Sequence, residues 1–147
     1  MHSGTSLTLV LLALTATPGV VVAQGGKAKT ASAAVEEYIK AASDSNLKRM
    51  PELFGTDKGS AAHVGLPGGN LEKRMVFTQA WLSRASVRAL SELSGGKRNE
   101  RIVTTEISRG ACKVVVPVVA VNSAKDGWLV RNLDLDQVKL NCDGGNP

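Results

Sequence analysis

Few side chains in this sequence are equipped for chemistry. Its two histidines are His2 and His63, and its single tyrosine is Tyr38. His63 is a candidate for acid/base or ligand-contact duty, but it lies in a glycine-rich stretch where an exposed or capping histidine is the ordinary outcome. Serines are numerous, yet no Gly-x-Ser-x-Gly elbow occurs, which disfavours hydrolysis through a Ser-His-Asp triad. A metal needs several converging ligands. With one histidine in the folded part and two cysteines that read as a bridged pair, only carboxylates remain, so neither a metal nor a cofactor is expected. The run Gly65 to Gly69 (GLPGG) is not a phosphate loop, because no Lys-Ser or Lys-Thr follows it.

Asp134 and Asp136 stand two apart. On a strand their carboxylates would share a face opposite Leu133 and Leu135, the pattern of a half-solvated strand rather than of an acid/base pair. Trp81, Trp128 and Phe77 are large enough either to fill a core or to wall a ligand pocket. Together with His63 they are the four candidates for ligand contact, and no residue is assigned a catalytic role.

Net charge is +5 and the pI about 9.5. The basic doublets Lys48-Arg49, Lys73-Arg74 and Lys97-Arg98 are dispersed, and no aromatic platform interleaves with them. This patterning points away from nucleic acid as a partner.

The elements that must position these residues begin after an apolar N-terminus. Leu7 to Ala16 is followed by Pro18-Gly19 and by Val21-Val22-Ala23 ahead of Gln24, the pattern of a secretory signal peptide over residues 1–23. An apolar run of about 15 residues falls short of the roughly 20 that span a membrane, so no stable membrane span is expected. None of the 18 basic or 13 acidic side chains lies in residues 1–23, so the charge of the remainder is unchanged. Export, secreted or periplasmic, also suits the two cysteines, Cys112 and Cys142, which read as one structural disulfide. Closing a loop of about 30 residues would stabilise the domain by roughly 3 to 4 kcal/mol.

Residues 24–32 are small and polar and read as a flexible tail. Residues 33–142 read as one domain and 143–147 as a second tail. Ser32 can cap a helix in which Val35, Tyr38, Ile39 and Ala42 recur at helical spacing. After Asp44, a short helical turn over 47–55 would dock Leu47, Met50, Leu53 and Phe54. The stretch 55–70 reads mostly as loop, with residues 60–64 either loop or a short edge strand. Asn70 can cap a helix over 71–82 whose apolar face holds Met75, Phe77, Ala80, Trp81 and Leu82. Residues 86–93 read either as an extension of that helix or, after the break at Ser83 and Ser86, as a first strand, the reading favoured by the hairpin-like connection over 94–100. The β-branched runs 101–109, 111–121 and 127–136, separated by turn-prone clusters, complete an antiparallel meander. The expectation is an α+β domain in which two or three N-terminal helices pack on a curved four-stranded antiparallel sheet.

This order of elements resembles the nuclear transport factor 2-like superfamily, with its cone-shaped, cystatin-like fold. The stretch Ala34 to Leu47 (AVEEYIKAASDSNL) is similar to that group's first helix and following bend, and Asp126 to Val130 (DGWLV) to its closing strand. The resemblance covers roughly residues 31–140. It implies a pocket between helices and sheet, used by some members for isomerase or dehydratase chemistry and by others for binding alone. It carries no catalytic residue over to this sequence. The expected function is an exported, non-enzymatic binding or accessory protein of the cell envelope that uses a hydrophobic pocket or a sheet face. Its partners would be a small hydrophobic ligand or an envelope protein, with a homodimer through the sheet as a further expectation. The competing expectation is a small-molecule isomerase or dehydratase with an acid/base residue in the same pocket.

Overall fold

A computed structural model describes residues 26–66 and 68–138. The leader expected over 1–23, Cys142 and the tail over 143–147 lie outside them.

Helix α1 spans Ala31–Ser43. Its cap is Thr30 rather than Ser32: Thr30 has extended backbone, and its Oγ1 accepts the Ala33 N–H at 3.1 Å. Ser32 already lies inside the helix, so its hydroxyl donates instead to Glu92 at 2.9 Å. The helix buries Ala31, Ala34, Val35, Tyr38, Ile39, Ala41 and Ala42. Its small residues let the backbone approach all four strands of the main sheet. The described part of the expected tail is held in place. Ala28 is buried, bridges to Trp128, and accepts the Trp128 N–H at 3.3 Å.

Helix α2, Met50–Leu53, begins with Pro51 in its first turn, where a missing N–H costs nothing. Met50, Leu53 and Phe54 are buried as expected. Leu47 is not, being 42% exposed, because it precedes α2 in a turn that Ser45 opens at positive φ. The glycine-rich stretch is more ordered than a loop. Strands β1 (Gly55–Thr56) and β2 (Gly59–Ser60) form a small antiparallel ladder, and residues 60–64, read as loop or strand, instead supply the helical turn α3, Ala61–Val64. Gly55 permits the ladder, since a Cβ there would meet the Gly59 carbonyl oxygen at 2.3 Å.

Helix α4 spans Leu71–Leu82, and Asn70 precedes it without a side-chain capping bond. Its buried row is Met75, Thr78 and Leu82. Phe77 is 52% exposed and Ala80 is also exposed, against the apolar face expected from sequence. Two residues beyond Met75 is about 200° around a helix, so Phe77 points away from the row that packs.

The main sheet has the order β3 (Ser86–Ser94), β4 (Glu100–Arg109), β5 (Cys112–Ser123), β6 (Gly127–Leu133), all antiparallel. One face buries Val103, Thr105, Ile107, Val114, Val116, Val118, Ala120 and Val130. Pro117, which has no N–H to donate, stands just before β6 begins to pair at Val118. Strand β6 stops at Leu133, short of the expected 136. Asp134 Oδ1 accepts the N–H groups of Asp136 at 3.1 Å and Gln137 at 3.4 Å, opening a helical turn over 135–138. The two aspartates therefore do not share a strand face. Architecture is α+β, with four helical segments, α1 to α4, ahead of the four-stranded sheet among the described residues.

Candidate functional site

The space between α1 and the sheet is occupied by side chains. Tyr38, Ile39, Met50, Leu82, Ile107, Val103, Val116 and Val118 are all buried to within 2%. Burial pushes the Tyr38 phenol up to about 12, although a side-chain hydrogen bond with Thr78 and the nearby Arg74 guanidinium pull it down. Tyr38 therefore stays neutral near pH 7. Among the described residues no buried side-chain nitrogen or oxygen lacks a hydrogen bond. Glu100, buried on β4, pairs with Arg131 of β6.

One polar cluster joins distant parts of the chain. Ser60 of β2, His63 of α3 and Asp126 of the β5–β6 turn meet at a single atom, His63 Nδ1, which lies 3.0 Å from Ser60 Oγ and 3.0 and 3.1 Å from the two Asp126 oxygens. The Ser60 backbone N–H donates to Asp126 Oδ2 at 2.8 Å. Desolvation acts to raise the Asp126 carboxyl, but the Ser60 N–H, His63 and Lys125 outweigh it and hold it below the usual carboxylate range. Gly59 adopts φ +141° beside this carboxylate, and a Cβ there would come within 2.9 Å of Asp126 Oδ2. A triad needs the base on one ring nitrogen and the orienting carboxylate on the other. Here both neighbours share Nδ1, so the geometry makes a joint between the small ladder and the hairpin, not a relay.

The four ligand-contact candidates are not brought together. His63, 53% exposed in its side chain, sits in this joint. Trp128 is half-buried at the sheet end, with the Arg101 guanidinium 5.8 Å from its ring centre. Trp81 is half-buried at the end of α4, and its carbonyl accepts a bond from Arg109. Phe77 walls two shallow concavities beside Arg74, one of about 350 Å³ with Asn132 to Asp136 and one of about 340 Å³ with Leu66, Asn70 and Lys73. A more apolar groove of about 480 Å³ runs between α2 and α4, lined by Leu47, Pro51, Leu71, Met75 and Val76, with Gly69 and Glu72 at its rim. A fourth concavity, of about 540 Å³, gathers Arg98, Asn99, Arg101, Asn122, Ala124 and Trp128.

Leu47, Pro51, Leu71 and Val76 were absent from the sequence-based candidates, because their exposure follows from where α2 starts and how α4 rotates. Ser60 and Asp126 lie 66 residues apart and carried no local signal. Among the described residues no three His, Cys, Asp or Glu side chains converge as a metal site. No helix of the described residues is long and apolar enough to cross a membrane. Comparison with known families and with characterised proteins found no match to this sequence.

Proposed function

We propose that this chain is an exported, non-enzymatic binding or accessory protein of the cell envelope, and that the groove between α2 and α4 takes a small hydrophobic ligand. The carrying observation is that Leu47 and Val76 remain 42% and 45% exposed above a floor of Leu71 and Met75. Covering such side chains is worth about 25 cal/mol per Å² of apolar surface removed from water. A groove of about 480 Å³ also falls within the range of small-molecule sites. Export by the leader over 1–23, to a secreted or periplasmic location, and a Cys112–Cys142 bridge belong to the same proposal.

The nuclear transport factor 2-like reading, with its helices on a curved sheet, belongs to it as well. Supporting it are the bend after α1, the helices ahead of the meander, and the DGWLV stretch opening β6. A homodimer through the sheet draws support from the exposed Leu90, Leu93 and Val115 and from the Leu93–Ile102–Val119 row across three strands. Sedimentation of the purified chain tests it, and a monomer at all concentrations would remove it.

Titration with cis-parinaric acid, a fluorescent fatty acid, tests the groove. Saturable binding is expected, weakened at least tenfold by Leu47→Asp or Val76→Asp, both at exposed positions that folding tolerates. Unchanged binding in both variants would reject the groove. The second reading, isomerase or dehydratase chemistry, is favoured by one feature only: His63 is exposed and backed by a carboxylate.

A further inference from the structure

We propose that the end of the sheet where the β3–β4 and β5–β6 hairpins meet is a binding site for an acidic saccharide, independent of the α2–α4 groove. The two turns are locked side by side. Asn122 N–H donates to the Asn99 carbonyl at 2.8 Å, and Asn99 Nδ2 donates to the Asn122 carbonyl at 3.3 Å. The concavity of about 540 Å³ between them is lined by Arg98, Asn99, Arg101, Asn122, Ala124 and Trp128. The Arg101 guanidinium is held in place by the carbonyls of Arg98 at 3.3 Å and Glu100 at 2.8 Å. Trp128 is fixed through its backbone bond to Ala28, packs against the core, has the Arg101 guanidinium 5.8 Å from its ring centre, and is only half-buried.

Charge at this end is unbalanced. Glu100 is taken by Arg131, and Asp126 by His63 and Ser60. Glu92 reaches Arg101 only at 3.8 Å and accepts Ser32 Oγ as well. Arg98 makes no ion pair among the described residues, and Lys97 and Lys125 flank the two turns. Each lining group matches a part of an acidic sugar. The apolar C–H face of a pyranose stacks on the open part of the indole, its hydroxyls bond the Asn99 and Asn122 amides, and its carboxylate or sulfate takes the guanidinium fork of Arg98, with Arg101, whose Nη1 and Nε are already engaged, adding its charge. Single-stranded nucleic acid fits less well, because it needs successive aromatic platforms. Trp128 is the one aromatic side chain in the lining.

Calorimetric titration of the purified chain tests this, using a hyaluronan tetrasaccharide, the uncharged N-acetylglucosamine tetramer, sodium sulfate and an oligothymidylate. Trp128 fluorescence, read in a Trp81→Phe background, provides a second signal. The expected result is saturable binding of the acidic tetrasaccharide with a change in Trp128 emission, at least tenfold weaker binding of the neutral tetramer and of sulfate, and about tenfold loss in Arg98→Gln at unchanged melting temperature. Equal binding of the neutral tetramer, equal binding of sulfate, tighter binding of the oligothymidylate, or full affinity in Arg98→Gln would each overturn it.

Discussion

Replacing Asp126 by asparagine separates a structural joint from a proton-transfer site. The carboxylate, only 9% exposed, accepts the Ser60 N–H at 2.8 Å and faces His63 Nδ1 with both oxygens at 3.0 and 3.1 Å. An amide keeps an oxygen for the Ser60 N–H and an N–H for the neutral His63 Nδ1, so what the substitution removes is the charge on both bonds. Hydrogen bonds to a charged group are worth about 1.5 to 3 kcal/mol against about 0.5 to 1.5 kcal/mol for neutral ones, a difference of about 1.2 kcal/mol that the half-exposed His63 ring halves for the second bond. The net loss is therefore about 2 kcal/mol near neutral pH. For a domain of this size that lowers the melting temperature by about 6 to 10 °C. The pH dependence has a definite sign. The folded carboxyl lies below its unfolded value, so its contribution is fully present above the ordinary carboxylate pKa of about 3.9 and is lost as pH falls through the folded value. Urea unfolding of both proteins, near neutrality and in strong acid, measures the gap. A difference under about 0.5 kcal/mol near neutrality, or one that does not shrink in acid, would refute the joint.

Three further outcomes are expected. Tyr38 is the only tyrosine, so phenolate absorbance reports it alone. In the folded chain it should ionise at about 12, and stability should be complete below the unfolded pKa of about 10 and fall by roughly 2 to 3 kcal/mol as pH rises through the folded value; ionisation near 10 without unfolding would contradict its burial. Gly59→Ala should cost about 2 to 3 kcal/mol, through backbone strain and the 2.9 Å approach to Asp126, whereas Gly65→Ala, at φ +72° with no atom within 4 Å of its Cβ, should cost about 1 kcal/mol by the same denaturation assay. The chain purified without reductant should show no titratable thiol, and reduction should lower its stability by about 3 kcal/mol; two free thiols in the unreduced protein would remove the bridge.

The strands were legible because their residues are: β-branched runs at 101–109 and 112–121 have no helical periodicity, and turn residues punctuate them. Helix α1 was legible from Val35, Tyr38, Ile39 and Ala42. What sequence misplaced depended on tertiary competition. Thr30 and Ser32 are both good caps, and the entry of Ala28 beside Trp128 favours Thr30. Leu-Asp-Leu-Asp reads as a half-solvated strand, but the Asp134 side chain binds its own backbone and turns the segment into a cap with a helical turn. The candidate site was the least visible. Trp128 and Phe77 do line concavities, but the apolar groove is formed by Leu47 and Val76, residues that periodicity places in contact with a core or leaves unremarked. The meeting of Ser60, His63 and Asp126 exists only once the glycine-rich ladder has folded against the hairpin.

Binding in the α2–α4 groove is tested most directly by purifying the chain without detergent, extracting it with organic solvent and identifying what was retained by mass spectrometry. The expected result is one class of small hydrophobic molecule recovered in stoichiometric amount from the unmodified chain and lost from Val76→Asp. An empty extract, together with no saturable uptake of cis-parinaric acid by the unmodified chain, would contradict the proposed function.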